Sequence, residues 1–425
     1  MANQDDKLSQ LRRRDFLRLF SRSALILTML LSISLLAGCG GGGGSTTTSP
    51  AQGGPVVQPN VVVLPSDGSV TITNQAADSV TLAGNVPSVV PGSVIVSGAG
   101  QGLLRKVVST TPSGGGTIVQ TQQASLEDVF QDADISVNKT LGPADFTSIT
   151  PMIAGLSVSH AVPHGSTARN PKDLAVSVPL TFTHVKFPRD NPAAELNGTG
   201  SITLSFDTAI SIHHFQLQTV RWVPHLAGTL DVKLSSSASV KFAEAKVLLA
   251  HLEGKPFDVQ VGPVPVVFVP KIDLYATMGG NVSAGVTLTS SASVAADAGV
   301  EYDQSSGWQP VTQISRTLDL VPTLSAYASA SYDFTPLRTE FTLYVYDIAG
   351  PYVALDMPKL NATVTAHATP PSADVSVSGD IAGEAGFHVQ IFKLDVDYHT
   401  PALSAPFEIY HNTFVSTGAV TVGVS

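Results

Sequence analysis

Polar and apolar residues alternate along much of this 425-residue chain. Residues 281–302, NVSAGVTLTSSASVAADAGVEY, show it most clearly. Their even positions, from Val282 to Tyr302, are Val, Ala, Leu and Tyr with the single exception of Ser290, and their odd positions are almost all Ser, Thr, Gly, Asp or Glu. A period of two is that of an extended chain whose side chains point to opposite faces in turn, so the run predicts a strand; no apolar stripe at i, i+3, i+4 supports a helix. At roughly 3.3 Å per residue the strand would be several times longer than the usual 5 to 6 residues. A bend or break is therefore expected at Gly285 or around Ala296 and Asp297. The same alternation returns at 232–242, 324–334 and 375–379.

The rest of the chain follows this lead. Between 60 and 151, short apolar runs at 61–64, 69–73, 79–82, 93–96, 103–108 and 117–120 are separated by Gly, Pro, Asp and Asn, a spacing that predicts a small sandwich or barrel. Ser125-Leu126-Glu127-Asp128 interrupts it: Ser125 can cap a helix and Asp128 can answer three positions on, which predicts a short helix to Ala133. From 152 to 425, further strands are expected at 174–187, 201–211, 215–222, 229–242, 257–269, 318–334, 341–347, 362–367, 373–379, 387–397 and 407–410, with weak helical periodicity at 242–252. Sequential strands joined by short polar turns pair antiparallel. The expected fold is all-β, a sandwich or roll of long antiparallel strands with one or two short helices, organised as a small N-terminal β module (60–151) and a larger β domain (152–425). A transmembrane barrel would need aromatic girdles, whereas aromatics make up only 7% of this chain and the apolar faces are Val and Ala. Such faces suit sheets packed closely together, or the lining of a lipid-binding groove.

Charge narrows the partners. Charged residues are 13% of the chain, with 23 basic and 33 acidic. Six of the basic residues and three of the acidic ones precede Cys39, so 17 basic and 30 acidic residues follow it, a net of −13. A surface this acidic offers no footprint to nucleic acid or to anionic lipid.

The first 39 residues read as an address. A basic segment precedes a 14-residue apolar run at 24–37, too short to span a bilayer but of the length of a signal-peptide core. Arg13-Arg14-Asp15-Phe16-Leu17-Arg18 resembles the twin-arginine export signal, departing from it where Arg12 replaces the usual Ser or Thr. Leu36-Ala37-Gly38-Cys39 is similar to the lipobox of bacterial lipoproteins. The resemblance implies export directed by Arg13, Arg14, Phe16 and Leu17, a thioether-linked diacylglycerol on Cys39, cleavage before it and acylation of the new amine. With Gly40 rather than Asp as the second mature residue, it also implies delivery to an outer membrane. Several acyl chains, at roughly 0.8 kcal/mol per buried methylene, make a firm anchor. Cys39 is the sole cysteine, so a lipidated chain has neither disulfide nor thiolate site. Residues 40–59, rich in Gly, Ser, Thr and Pro, form a tether. The segment 100–107, where Arg105 and Lys106 are adjacent, resembles β modules of uncharacterised secreted bacterial proteins, which implies no activity.

Candidate chemistry is sparse. The chain has no Gly-x-Ser-x-Gly elbow, no phosphate loop ending in Gly-Lys-Ser/Thr and no His-Glu-x-x-His. Asp395, Asp397 and His399 would share one strand face, about 6.5 to 7 Å apart, as metal donors or as a solvated polar row. His160 and His164 flank Pro163 and are expected in a loop; His213 and His214, adjacent on a strand, would point to opposite faces. Asp132 and Asp134 would either hold Ca²⁺ or serve as capping and solvated groups. Trp222 and Trp308 would stack on a sugar or pack in the core. No cofactor beyond the lipid is expected. The expected role is a lipid-anchored, non-catalytic envelope protein of structural, adhesive or surface-interaction function. The alternatives are a lipid- or glycan-binding lipoprotein and a metal-dependent envelope enzyme.

Overall fold

The computed structural model describes residues 54–159, 177–187, 194–236, 240–282, 286–324, 330–348, 350–368, 371–388, 392–393, 397–400, 403–415 and 420–421. Strands dominate them. In chain order these are β1 (Val56–Val57), β2 (Val61–Val63), β3 (Thr71–Gln75), β4 (Ser79–Ala83), β5 (Val94–Ser97), β6 (Leu103–Ser113), β7 (Gly116–Gln123), β8 (Phe130–Leu141), β9 (Phe146–Pro151), β10 (Leu156–Val158), β11 (Val178–Phe187) and β12 (Ala194–His213). There follow β13 (Gln216–Ser236), β14 (Val240–Gly254), β15 (Phe257–Val261), β16 (Val264–Val282), β17 (Val286–Asp303), β18 (Gly307–Leu324), β19 (Ala330–Val345), β20 (Pro351–Asp356), β21 (Lys359–Ala368), β22 (Pro371–His388), β23 (Asp397–His399), β24 (Leu403–Val415) and β25 (Val420–Thr421).

They form three sheets. The first runs β1-β8-β12-β13-β17-β18-β25, with β11 sharing the β8 side of β12 and β10 on β11; the second runs β20-β22-β21-β19-β16-β14-β9, with β15 on β16 and β23 and β24 on β22. A third, β2-β5-β6-β7-β4-β3, is built from 61–123. All described pairs are antiparallel except β2 with β5. Thus β8 and β9, which the sequence groups with the small module, hydrogen-bond into the two large sheets, to β12 and β14.

The two large sheets pack face to face over one core. In β17 the even residues Ala292, Val294, Ala296, Ala298 and Val300 are buried while Ser291, Ser293 and Ala295 are exposed, as a half-buried strand requires. No break occurs at Ala296 or Asp297: β17 pairs with β18 without a register shift along its whole length. Its other side loses pairing at Ala298 and Gly299, opposite Val223 and Pro224, because proline has no N–H to give. A Cβ on Gly299 would stand 2.0 Å from the Trp222 carbonyl oxygen, so only glycine lets the strands approach there. The alternation at 281–302 spans the last two residues of β16 and all but the last residue of β17; Gly285 lies outside the described residues.

Aromatic rings fill the space between these sheets. Phe206 and Trp222 of the first sheet meet Phe341 of the second with centroids 5.3 to 5.7 Å apart, and Phe257 stacks on Phe268 at 5.5 Å. Trp222 is completely buried. A side chain of its size removes about 200 Å² from water, roughly 5 kcal/mol of gross hydrophobic stabilisation at 25 cal/mol per Å².

Three expectations change. The 61–123 region is a single six-stranded sheet, not a sandwich or barrel of its own. One of its faces puts Val94, Val96 and Leu104 into the main core; the other, with Ile95 and Leu103, is closed by Leu64, Val70 and Val89. The helix expected from Ser125 is one 3-10 turn, Leu126–Asp128, with Asp128 Oδ2 accepting the Ser125 N–H at 3.0 Å; β8 begins two residues later because Ala133, Ile135 and Val137 alternate into the core. A second single turn spans Pro143–Asp145. The helical period at 242–252 belongs to β14. Register shifts at 242–245 and 248–250 each put one extra residue into β14 and so interrupt its strict period of two.

Candidate functional site

Antiparallel register, rather than sequence proximity, assembles the polar groups on the outer faces. On the first sheet, Asp134 of β8 lies opposite Ser211 of β12, and alternation puts Asp132 and His213 on the same face. Ser211 Oγ donates to Asp134 Oδ1 at 2.7 Å and lies 3.1 Å from His213 Nε2, while His213 Nδ1 is 3.4 Å from Asp132 Oδ1. His214 is not on the strand; it donates its N–H to Asp132 Oδ1 at 3.1 Å from the two-residue turn that joins β12 to β13. That turn puts His214 and Phe215 at φ 52° and 64°, the left-handed pattern normally taken by Asn-Gly. For a bulky residue such as Phe it costs about 1–2 kcal/mol. The Phe215 N–H holds it in place by donating to the Gln131 carbonyl at 3.0 Å.

Ser211, His213 and Asp132 have the order of a nucleophile, base and orienting acid. The direction of the bonds argues for another role. The serine proton goes to Asp134, and the His214 N–H that an oxyanion would need is spent on Asp132. The cluster ties a hairpin end to β8.

A second bridge spans four strands. His225 of β13 places Nδ1 2.8 Å from Asp297 of β17 and Nε2 3.0 Å from Asp207 of β12, and Asn138 of β8 donates to Asp207. Partial burial pulls the imidazole pKa down, but hydrogen bonds to Asp297 and Asp207 and their charges outweigh it and leave the pKa above its ordinary value. Nearby, Arg221 pairs with Glu301 at 2.5 Å.

On the second sheet, β19 exchanges one neighbour for another: residues 330–334 pair with β21 and residues 338–342 with β20. A cleft of about 410 Å³ opens at this junction, lined by Lys246, Thr277, Asp333, Thr335, Arg338, Asp356 and Lys359 among others. Arg338 is its hub, donating to Glu340 at 2.8 Å, Asp356 at 3.1 Å and Glu384 at 2.9 Å. Burial works against the guanidinium charge, yet Glu340 and Asp356 more than compensate and raise its pKa. Asp356 is only 7% exposed; burial raises its pKa, and Arg338 offsets only part of that. Lys246 neutralises Glu340 at 2.5 Å and lies 3.9 Å over the Tyr275 ring. The cleft can hold a small polar molecule by hydrogen bonds, but Lys246, Arg338 and Asp356 in its wall are already engaged in ion pairs.

The sequence candidates divide as follows. Asp132, Asp134 and His213 come together, on a strand rather than in a Ca²⁺ loop. Trp222 lies in the core, and Trp308 packs 5.0 Å from Tyr302. Asp397 and His399 belong to β23, paired with His388 and Gly386. Asp395, His160 and His164, like Arg13, Arg14, Phe16, Leu17 and Cys39, lie outside the described residues. Among the described residues no group of three or more His, Cys, Asp or Glu is arranged to hold a metal ion. Asp207, His225, Asp297 and Arg338 are not among the sequence candidates; a His or Arg at an outward position of a long strand is the only signal the sequence carries for them. No family model, curated protein or solved structure matches this chain.

Proposed function

We propose that this chain is a lipid-anchored envelope protein whose β-sheet body serves a structural or adhesive role. The observation that carries this reading is the lateral pairing of charge. His225 with Asp207 and Asp297, Arg221 with Glu301, His251 with Asp273 at 2.6 Å and Arg338 with Asp356 all join neighbouring strands, and Arg338 reaches one strand further to Glu384. Groups arranged for catalysis converge on a substrate position; these brace a sheet against splaying. Antiparallel ladders of 15 to 20 residue pairs tie β12 to β13, β13 to β17 and β17 to β18, which supports the same reading. The anchor is supported by the spacing of Arg13-Arg14, the apolar run and Cys39. The test expresses the chain with Cys39→Ala in a bacterial host. Palmitate labelling and membrane association are lost, and the envelope or adhesion phenotype matches that of the deletion. A Cys39→Ala protein that stays in the membrane fraction, or that restores the phenotype from solution, refutes the proposal.

A further inference from the structure

The point at which the described chain begins and the strained turn at the end of β12 occupy one end of the first sheet. Val56 lies opposite Asp132 and Val57 opposite Phe130. The same stretch of β8 accepts the His214 N–H on Asp132 and the Phe215 N–H on Gln131. Here two large apolar side chains face solvent, Val56 and Phe215, each 42% exposed. The β17–β18 hairpin ends beside them: Gln304 donates its N–H to the Gln218 carbonyl at 2.9 Å, and Tyr302 and Trp308, both half-buried, pack just behind.

We propose that this end of the first sheet rests on the headgroup layer of the bilayer, with Phe215 inserted among the headgroups. The inference rests on Cys39 being the lipid attachment point. Fourteen residues lie between Cys39 and Gly54, and a Gly-rich sequence of that length has a root-mean-square span, as a random coil, of only about 20 Å. An anchor so close to Val56 keeps this end of the sheet near the membrane. The chemistry fits the interface: an exposed Phe has no counterpart in the core, and Trp and Tyr are the residues favoured at headgroup depth. Charge selects the lipid. Asp132, Asp134 and Asp303 sit at this end, so anionic headgroups are repelled and zwitterionic ones accepted.

The test uses the full lipidated protein in phosphatidylcholine–phosphatidylethanolamine vesicles that contain headgroup-spin-labelled lipid. With the Cys39 thiol consumed as a thioether, Ser306→Cys provides the only free thiol, on the exposed hairpin tip, for a fluorophore. Lys233→Cys is the reference, 17 residues along β13 from Gln216, about 56 Å at 3.3 Å per residue. The label at 306 is quenched several-fold more than the label at 233, and Phe215→Ser or Val56→Ser in the Ser306→Cys background reduces the difference. Equal quenching at 306 and 233, or quenching at 306 that neither substitution changes, overturns the proposal. Sedimentation of the protein with the vesicles is scored separately. Protein that stays in the supernatant refutes the anchor itself, whereas sedimentation without selective quenching refutes only the orientation.

Discussion

Replacing His225 by Gln isolates one brace of the first sheet. The imidazole faces Asp207 from β12, itself held by Asn138 of β8, and Asp297 from β17; the next charged pair along the face, Arg221 with Glu301, is satisfied internally. All three side chains of the brace are roughly a third exposed, so solvent screens their attraction. Exposed ion pairs contribute about 0.2–1 kcal/mol each, which puts the two contacts together at about 1 kcal/mol. The sign follows from the raised pKa. The folded chain holds a proton that the unfolded chain releases, so the contribution is complete below the unfolded value of about 6.5 and disappears as pH rises through the folded one. Urea denaturation of the purified chain should therefore show the native protein about 1 kcal/mol more stable than His225→Gln near pH 5.5, with the two converging near pH 9. A difference that is constant with pH, or that grows as pH rises, refutes the reasoning.

Trp222→Ala should lower stability by about 3–5 kcal/mol, read as a shift in the denaturation midpoint, because the space left among Phe206, Phe341 and the β13 backbone cannot collapse between two hydrogen-bonded sheets. Arg338→Met leaves the buried Asp356 without its partner and should cost about 3 kcal/mol; adding Asp356→Asn should restore part of the loss, and a purely additive double variant would contradict the account. Glu127 is 2% exposed, accepts the Lys393 N–H at 3.0 Å and has a pKa raised chiefly by burial, so its charge is a burden at neutral pH. Glu127→Gln should raise the denaturation midpoint at pH 7, with the advantage shrinking as pH falls and the native carboxyl takes up its proton.

The long strands were legible because one face of each is buried and the alternation at residues such as Ala292 to Val300 has no other explanation. Strand ends were harder to place. The alternation at 232–242 runs past the end of β13 at Ser236 into β14, and the alternation at 324–334 starts on the last residue of β18 and continues into β19, so the pattern by itself does not mark where one strand ends and the next begins. The weak helical signal in β14 came from register shifts, which change the spacing of buried positions without changing the strand. The bridging groups were hidden for a different reason. Asp207, His225 and Asp297 meet through cross-strand register, a relation between distant segments that no local window contains. Asp132 and Asp134 were visible as a pair, but their partner His213 is about 80 residues away and only the β8–β12 pairing brings it to them.

The brevity of β1 has a mechanical consequence. β1 meets β8 over two rungs, Val56 and Val57, with Gln58 bonded to the Val129 carbonyl just beyond, whereas the central ladders are zipped over 15 to 20 rungs. Tension arriving through Gly54 meets the weakest seam first: β1 peels away, releasing a few residues of slack at roughly 3.3 Å each, before any load reaches the aromatic interior. A sacrificial stitch of this kind yields and re-forms while the sheets behind it keep their shape.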